Sequence, residues 1–279
     1  MEPFYLPTPE GRIYGLHLPA NGTPRGALLW LPPFAEEAHC ARRHLVAAAR
    51  ECQAEGFSSL LIDPLGTGES DDDFASARWD VWCRHVGLAA GWLRERVSAP
   101  LWLAGVRAGN LLAADVAAQV MPAGLLCWQP AMDGRTVLDS FLRLKLASTW
   151  AADAGGSFAG NAASILADLR DELAAGRSVD VAGFTLSAEL AGVLASRGMS
   201  WAVDCAPRLA CLEFRSLQTD GVLPPHSPGL ARQCDNWRSQ GVQVLSEVVA
   251  APQFWLQHEA PLTPGLGRAS AALIGKLAA

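Results

Sequence analysis

With 279 residues, half of them hydrophobic and 18% charged, the chain has enough apolar content for a sizeable core, which excludes an intrinsically disordered protein. A net charge of −6, with no Lys/Arg block longer than Arg42-Arg43, excludes a basic nucleic-acid-binding face. No apolar run reaches the roughly 20 residues of a membrane helix. Seven dispersed cysteines without a C-x-x-C pair point to free thiols in a reducing compartment rather than a disulfide framework. Residues 1–11 hold Pro3, Pro7, Pro9 and two glutamates and lack the basic start of a secretory leader. The expectation is one domain over 1–279, cytoplasmic, with no membrane span and no nucleic-acid partner.

In chain order, "RIYGLHLPA" (12–20) alternates like a half-buried strand. "GALLWLPPF" (26–34) is a continuous apolar run stopped by Pro32-Pro33, as in a strand buried on both faces. A helical pattern over 39–54 ends at Gly56. "FSSLLIDPLG" (57–66) is the next strand. Residues 76–97 place Trp79, Trp82, Val86, Leu93 and Val97 on one side of an amphipathic helix. A strand at 100–106, a helix at 108–120 and a strand at 124–130 follow. This alternation predicts a mostly parallel sheet covered by helices. The rhythm breaks over 133–205. Helical stretches at 134–152, 161–175 and 187–196 flank a short strand "VDVAGFTLS" (179–187), with glycine joints at 155–156 and 198. An inserted helical lid is expected there. Strand 208–217, helix 228–239, strand 242–250 and helix 264–278 complete the pattern.

Ligands bind at the carboxyl ends of strands in such sheets. Four strand ends therefore define the pocket: "PPFAEE" (32–37), "GVRAGN" (105–110), "SLQTDGVLPP" (216–225) and "APQFWLQHEAP" (251–261). The order of these segments, the "DPLGTGES" turn, the glycines of "GVRAG" and the acid-loop pattern at Asp220 resemble the α/β-hydrolase superfamily. Within it, "LPPFAEE", "LLIDPLGTGES", Trp79–Trp82 as W-x-x-W and "GVRAG" are similar to the exosortase A system-associated hydrolases, the group called hydrolase 2. That resemblance implies an α/β-hydrolase fold, a hydrolase by name with no stated substrate, and an arginine at the nucleophile elbow. It also implies genomes that export PEP-CTERM-tailed proteins and make exopolysaccharide.

At the elbow a tight strand–turn–helix connection lifts the nucleophile into the pocket. Gly105, Ala108 and Gly109 keep the small residues this turn needs, but the residue lifted is Arg107. A guanidinium stays protonated and neither attacks nor acts as a base; it is a donor fork for carboxylate or phosphate, placed here at a helix N-terminus. It either pairs with a protein carboxylate (Glu36, Glu37 or Asp220) or holds an anionic ligand, together with backbone N–H groups around Phe34, Ala35 and Ala108. Asp220 stands at the triad-acid position, yet Asp-Gly also simply makes turns. Residues 251–257 contain no histidine; His258 comes several residues late, either as a displaced base or as a surface histidine. Glu36 and Glu37 are candidates for a general base, for the ion partner of Arg107, or for a helix-start acid pair.

Weaker signals carry less. Asp71-Asp72-Asp73 reads as a solvated loop, His39 and His44 do not share a helical face, and no phosphate-binding glycine motif is present. Cys40, Cys127 and Cys205 are candidates for a thiol nucleophile at the pocket rim, against the commoner role of a free cysteine as a buried hydrophobe. No cofactor and no metal are expected. The functional expectation is a hydrolase of unusual mechanism that acts on an anionic small molecule, or a non-catalytic descendant that binds an anionic metabolite or a protein.

Overall fold

The computed structural model describes residues 1–152 and 162–278. The expected glycine joint at 155–156 lies outside the described residues. Eight strands form one sheet: β1 (Glu2–Thr8), β2 (Gly11–Leu18), β3 (Gly26–Leu31), β4 (Phe57–Asp63), β5 (Leu101–Val106), β6 (Gly124–Trp128), β9 (Arg208–Arg215) and β10 (Gln243–Ala250). Their spatial order is β1-β2-β4-β3-β5-β6-β9-β10. The β1–β2 and β2–β4 pairs are antiparallel, and from β4 to β10 the pairing is parallel. The alternating strands and helices of the sequence require this crossover arrangement.

The central strands are buried on both faces, and their side chains alternate between two cores. Leu29 and Leu31 of β3, Leu103 of β5 and Cys211 of β9 point into one core; Leu28 and Trp30, Trp102 and Ala104, and Leu212 and Phe214 point into the other. Helices α1 (Glu36–Ala54) and α8 (Leu266–Ala278) cover the second face and pack on each other. Helices α2 (Trp79–Arg96), α3 (Gly109–Val120) and α7 (Pro228–Ser239) cover the first.

Two departures from the sequence pattern have local causes. Strand β1 has no apolar alternation to announce it, but it pairs with β2 along its whole length, Pro3 opposite Leu16 and Pro7 opposite Arg12. Both prolines have the same parity, so both can present their missing N–H on the side away from β2. The single strand expected over 179–187 is instead a hairpin, β7 (Val179–Val181) and β8 (Phe184–Leu186). Ala182 and Gly183 have φ of 50° and 86°, the double positive φ that a two-residue hairpin turn demands.

Between β6 and β9 the described residues add α4 (Gly134–Ala152), α5 (Ala162–Ala174), the hairpin and α6 (Ala188–Ala195). Gly134 lets α4 start directly against α6, since a Cβ there would lie 1.8 Å from the Leu194 carbonyl oxygen. Phe141 of α4 and Phe184 of β8 lie against one another and against Phe34 and Phe74 respectively, tying the insertion to the carboxyl ends of the sheet.

Candidate functional site

The turn between β5 and α3 keeps the elbow geometry with an arginine at its apex. Arg107 has φ 53°, and its backbone N–H donates to the Trp128 carbonyl at 3.0 Å. The Arg107 carbonyl accepts from the Asn110 side chain at 3.0 Å and from the Ala131 N–H at 3.3 Å. A Cβ on Gly109 would lie 2.3 Å from the Leu31 carbonyl oxygen, and one on Gly105 would lie 2.6 Å from the Asn110 side-chain oxygen. The two glycines therefore permit the close approach of α3 to the strand ends, and Arg107, at the apex of the turn, takes the positive φ.

The guanidinium is held. Nε of Arg107 lies 3.3 Å and 3.4 Å from the two Glu37 carboxylate oxygens, and Nη2 lies 3.2 Å from Oε1. The Trp255 ring covers the guanidinium at 5.3 Å from its centroid. Glu37 is mostly buried; burial pushes its carboxyl up from the ordinary glutamate range, and the Arg107 charge pulls it back only in part. Of the partners open to Arg107 in sequence, the fold chooses Glu37, because α1 begins at Glu36 and turns Glu37 toward the elbow. The residue before it, Ala35, sits at φ 48° and ψ −118°, a backbone state that glycine enters more easily.

Glu36 faces a different partner. Its Oε1 lies 2.8 Å from Nε2 of His258, and Nδ1 of the same ring lies 3.7 Å from Sγ of Cys40. His258 follows the short helical turn Phe254–Leu256, which carries the chain back over the start of α1. Cys40 is buried, and its thiol is pushed up by burial and by the nearby Glu36 and Glu37 carboxylates. A pocket of about 180 Å³ opens among these groups. Its polar wall is Glu36, Glu37, Cys40, Ser140 and His258; its apolar wall is Phe34, Val137, Phe141, Leu144, Trp255 and Leu256.

The expected site residues are thus brought together unevenly. Glu36, Glu37, His258 and Phe34 line one pocket, with Arg107 tied to its edge through Glu37. Ala108 and Ala35 do not converge on it. Ala108 faces a small cavity of about 30 Å³ beside Trp79 and Trp82, and Ala35 faces a groove of about 190 Å³ on the Arg42–Asp63 side of α1. Phe34, whose ring packs on Phe74 and Phe141, lines both the main pocket and the small cavity.

Asp220 is exposed, and its carboxylate accepts the Val222 N–H at 2.9 Å, the work of a turn residue. The buried acid at that end of the sheet is Glu213, which accepts from the Ser227 N–H at 3.0 Å and pairs with His226 Nδ1 at 2.9 Å. Its signal in sequence was a charged residue at an inward position of a strand otherwise buried on both faces. Trp255 and the Cys40–His258 contact had weaker signals. Glu36 and Cys40 stand one helical turn apart, which puts them on one face once α1 is known to start at 36.

The whole architecture has solved counterparts. Est1E from Butyrivibrio proteoclasticus, solved with ferulic acid bound, superposes with a TM-score of 0.61 over 99% of this chain and 98% of its own, at 15% identity. A member of the α/β serine hydrolases without a lid, from Xanthomonas campestris, gives 0.57 over 99% and 94% at 13% identity. An α/β serine hydrolase homologue from Coxiella burnetii gives 0.52 over 99% and 97% at 14% identity. The fold is that of an α/β hydrolase. No family model matches the chain, and no curated protein does. Within the hydrolase fold, the elbow here carries no hydroxyl or thiol, and the imidazole that follows β10 is engaged by Glu36 and Cys40.

Proposed function

We propose that this protein is a hydrolase-fold protein of the exosortase A-associated type. It takes an anionic small molecule at its elbow and works without a serine acyl-enzyme, in the cytoplasm of cells that export PEP-CTERM-tailed proteins and make exopolysaccharide. One observation carries the reading: the strained elbow is kept, and what it lifts is a guanidinium oriented by Glu37 and Trp255. Glu37 grips the fork through Nε and Nη2, so the Nη1 edge is not part of that pair. A ligand carboxylate or phosphate meets that edge or takes Glu37's place, and its apolar body lies along Phe34, Val137 and Phe141. The insertion over 133–205 acts as the lid, with Phe141 on its underside. A purely binding role is the second reading, and the Arg107–Glu37 pair favours it, because a neutralised ion pair occupies the nucleophile's place.

The test has two parts. Fluorophosphonate probes for serine hydrolases should leave the native protein unlabelled; robust labelling that heat denaturation abolishes would sink the non-serine reading. A medium-chain fatty acid should raise Tm where the alcohol of the same chain length does not, and Arg107→Gln should abolish the difference. Equal shifts from acid and alcohol would show that the site does not select an anion.

A further inference from the structure

The cluster of Glu36, Cys40 and His258 offers chemistry that the elbow does not use. One donor atom from each residue, a carboxylate oxygen, a thiol sulfur and a ring nitrogen, lies within 4.8 Å of the other two. Glu36 and Cys40 come from successive turns of one helix, and His258 comes from the far end of the sheet, more than 200 residues later. The fold therefore builds this constellation across two elements. Cys40 is 3% exposed, while the His258 side chain is 72% exposed, so the group has a closed inner end and an open outer one.

We propose that Glu36, Cys40 and His258 form a binding site for a divalent cation of the zinc type, at the mouth of the pocket beside the elbow. The donor set is selective. A thiolate sulfur excludes magnesium and calcium, which take oxygen, whereas sulfur, imidazole and carboxylate together suit zinc and its spectroscopic substitute cobalt. Tetrahedral bonds of zinc to these donors place them roughly 3.4–3.6 Å apart. Nδ1 of His258 lies 3.7 Å from the Cys40 sulfur, close to that spacing, while Glu36 lies 2.8 Å from the other ring nitrogen, Nε2; a single ion takes one of the two nitrogens, and the exposed His258 ring is the part that turns to present it.

Three protein donors leave a fourth position, and the pocket lined by these same residues is the space beside it. The local charge also favours a cation over the rival use of Cys40 as a nucleophile. Glu36 and Glu37 both stand near the sulfur, and the Arg107 charge is already held by Glu37. A free thiolate there faces two carboxylates, whereas a dipositive ion between them is attracted by both. The thiol proton leaves to solvent as the cation binds. The site stands independently of whether Arg107 holds an anion.

The experiment is a cobalt(II) titration of the full, reduced, chelator-treated chain. One cobalt per chain is expected, with a near-ultraviolet thiolate-to-cobalt band and the visible absorption of tetrahedral coordination, both erased by one equivalent of zinc. Cys40→Ser should remove the thiolate band. Glu36→Gln and His258→Gln should each weaken binding by about tenfold or more. Cys83→Ser/Cys205→Ser, which removes the two less buried thiols elsewhere, should leave it unchanged. Should Cys40→Ser fail to fold, His258→Gln decides, since that side chain lies at the surface. The proposal is overturned by any of three results: no cobalt uptake by folded protein, a thiolate band that survives Cys40→Ser or His258→Gln at full affinity, or acylation of Cys40 by thioester probes that zinc does not suppress.

Discussion

Arg107→Ser separates the two roles of the elbow. The turn already has the small flanking residues a serine needs, so the variant should fold. It leaves the Glu37 carboxylate mostly buried without its cation, which should cost about 1–3 kcal/mol in a urea or thermal melt. Adding Glu37→Gln should recover part of that loss, because an amide is cheaper to leave unpaired than a carboxylate. An exposed ion pair would instead give near-additive effects in the same cycle. The serine should not turn over p-nitrophenyl acetate efficiently, since the two nitrogens of His258 face Glu36 and Cys40. A large gain that His258→Ala removes would show a base serving the elbow after all. Residues at this scale were partly legible. The arginine, its three possible carboxylate partners and the late histidine stand in the sequence, but choosing Glu37 for Arg107 and Glu36 for His258 required the first turn of α1, which begins three residues before its helical pattern does.

At the scale of elements, the junction of β9 and α7 rests on one buried acid. Glu213, 2% exposed, bonds to the backbone of Ser227, whose hydroxyl caps α7 by accepting the Leu230 N–H. Burial pushes the Glu213 carboxyl up, but the hydrogen bonds from Ser227 and His226 outweigh it and hold it below the ordinary glutamate range. A carboxyl lowered in the folded state adds stability above its unfolded pKa of about 4.3 and loses it as pH falls through the folded value. Urea melts should therefore weaken across the acid limb, and Glu213→Gln should flatten that limb while leaving its slope near neutrality unchanged. The insertion should open more readily than the sheet. Amide exchange over the hairpin and α6 (179–195) should be faster than over β5, whose residues are all buried at the centre of the sheet; slower exchange there would rule out a mobile cover. The alternation of strands and helices was plain in sequence because both faces of the sheet are buried. The hairpin was not, because three-residue strands leave too short a pattern and only Ala182-Gly183 marks the reversal.

For the molecule as a whole, the fold was readable from rhythm and its chemistry was not, because rhythm reports burial and the pocket is assembled from residues as distant as Glu36 and His258. No described helix is long and apolar enough to cross a membrane. The sheet must nevertheless end somewhere, and at β1 it ends against solvent. Of the three mid-strand positions whose amides face away from β2, Pro3 and Pro7 have no N–H to give and only Tyr5 does. A strand from another chain arriving at this edge finds two of the three amide donors missing and only the carbonyls intact, so the prolines weaken self-association through the backbone at this edge. Replacing both with valine restores the donors and favours strand pairing. Sedimentation velocity on Pro3→Val/Pro7→Val should then show concentration-dependent dimers or larger species that the native chain lacks at the same concentration. A variant that sediments like the native protein would show that this edge is blocked by something other than its missing hydrogen-bond donors.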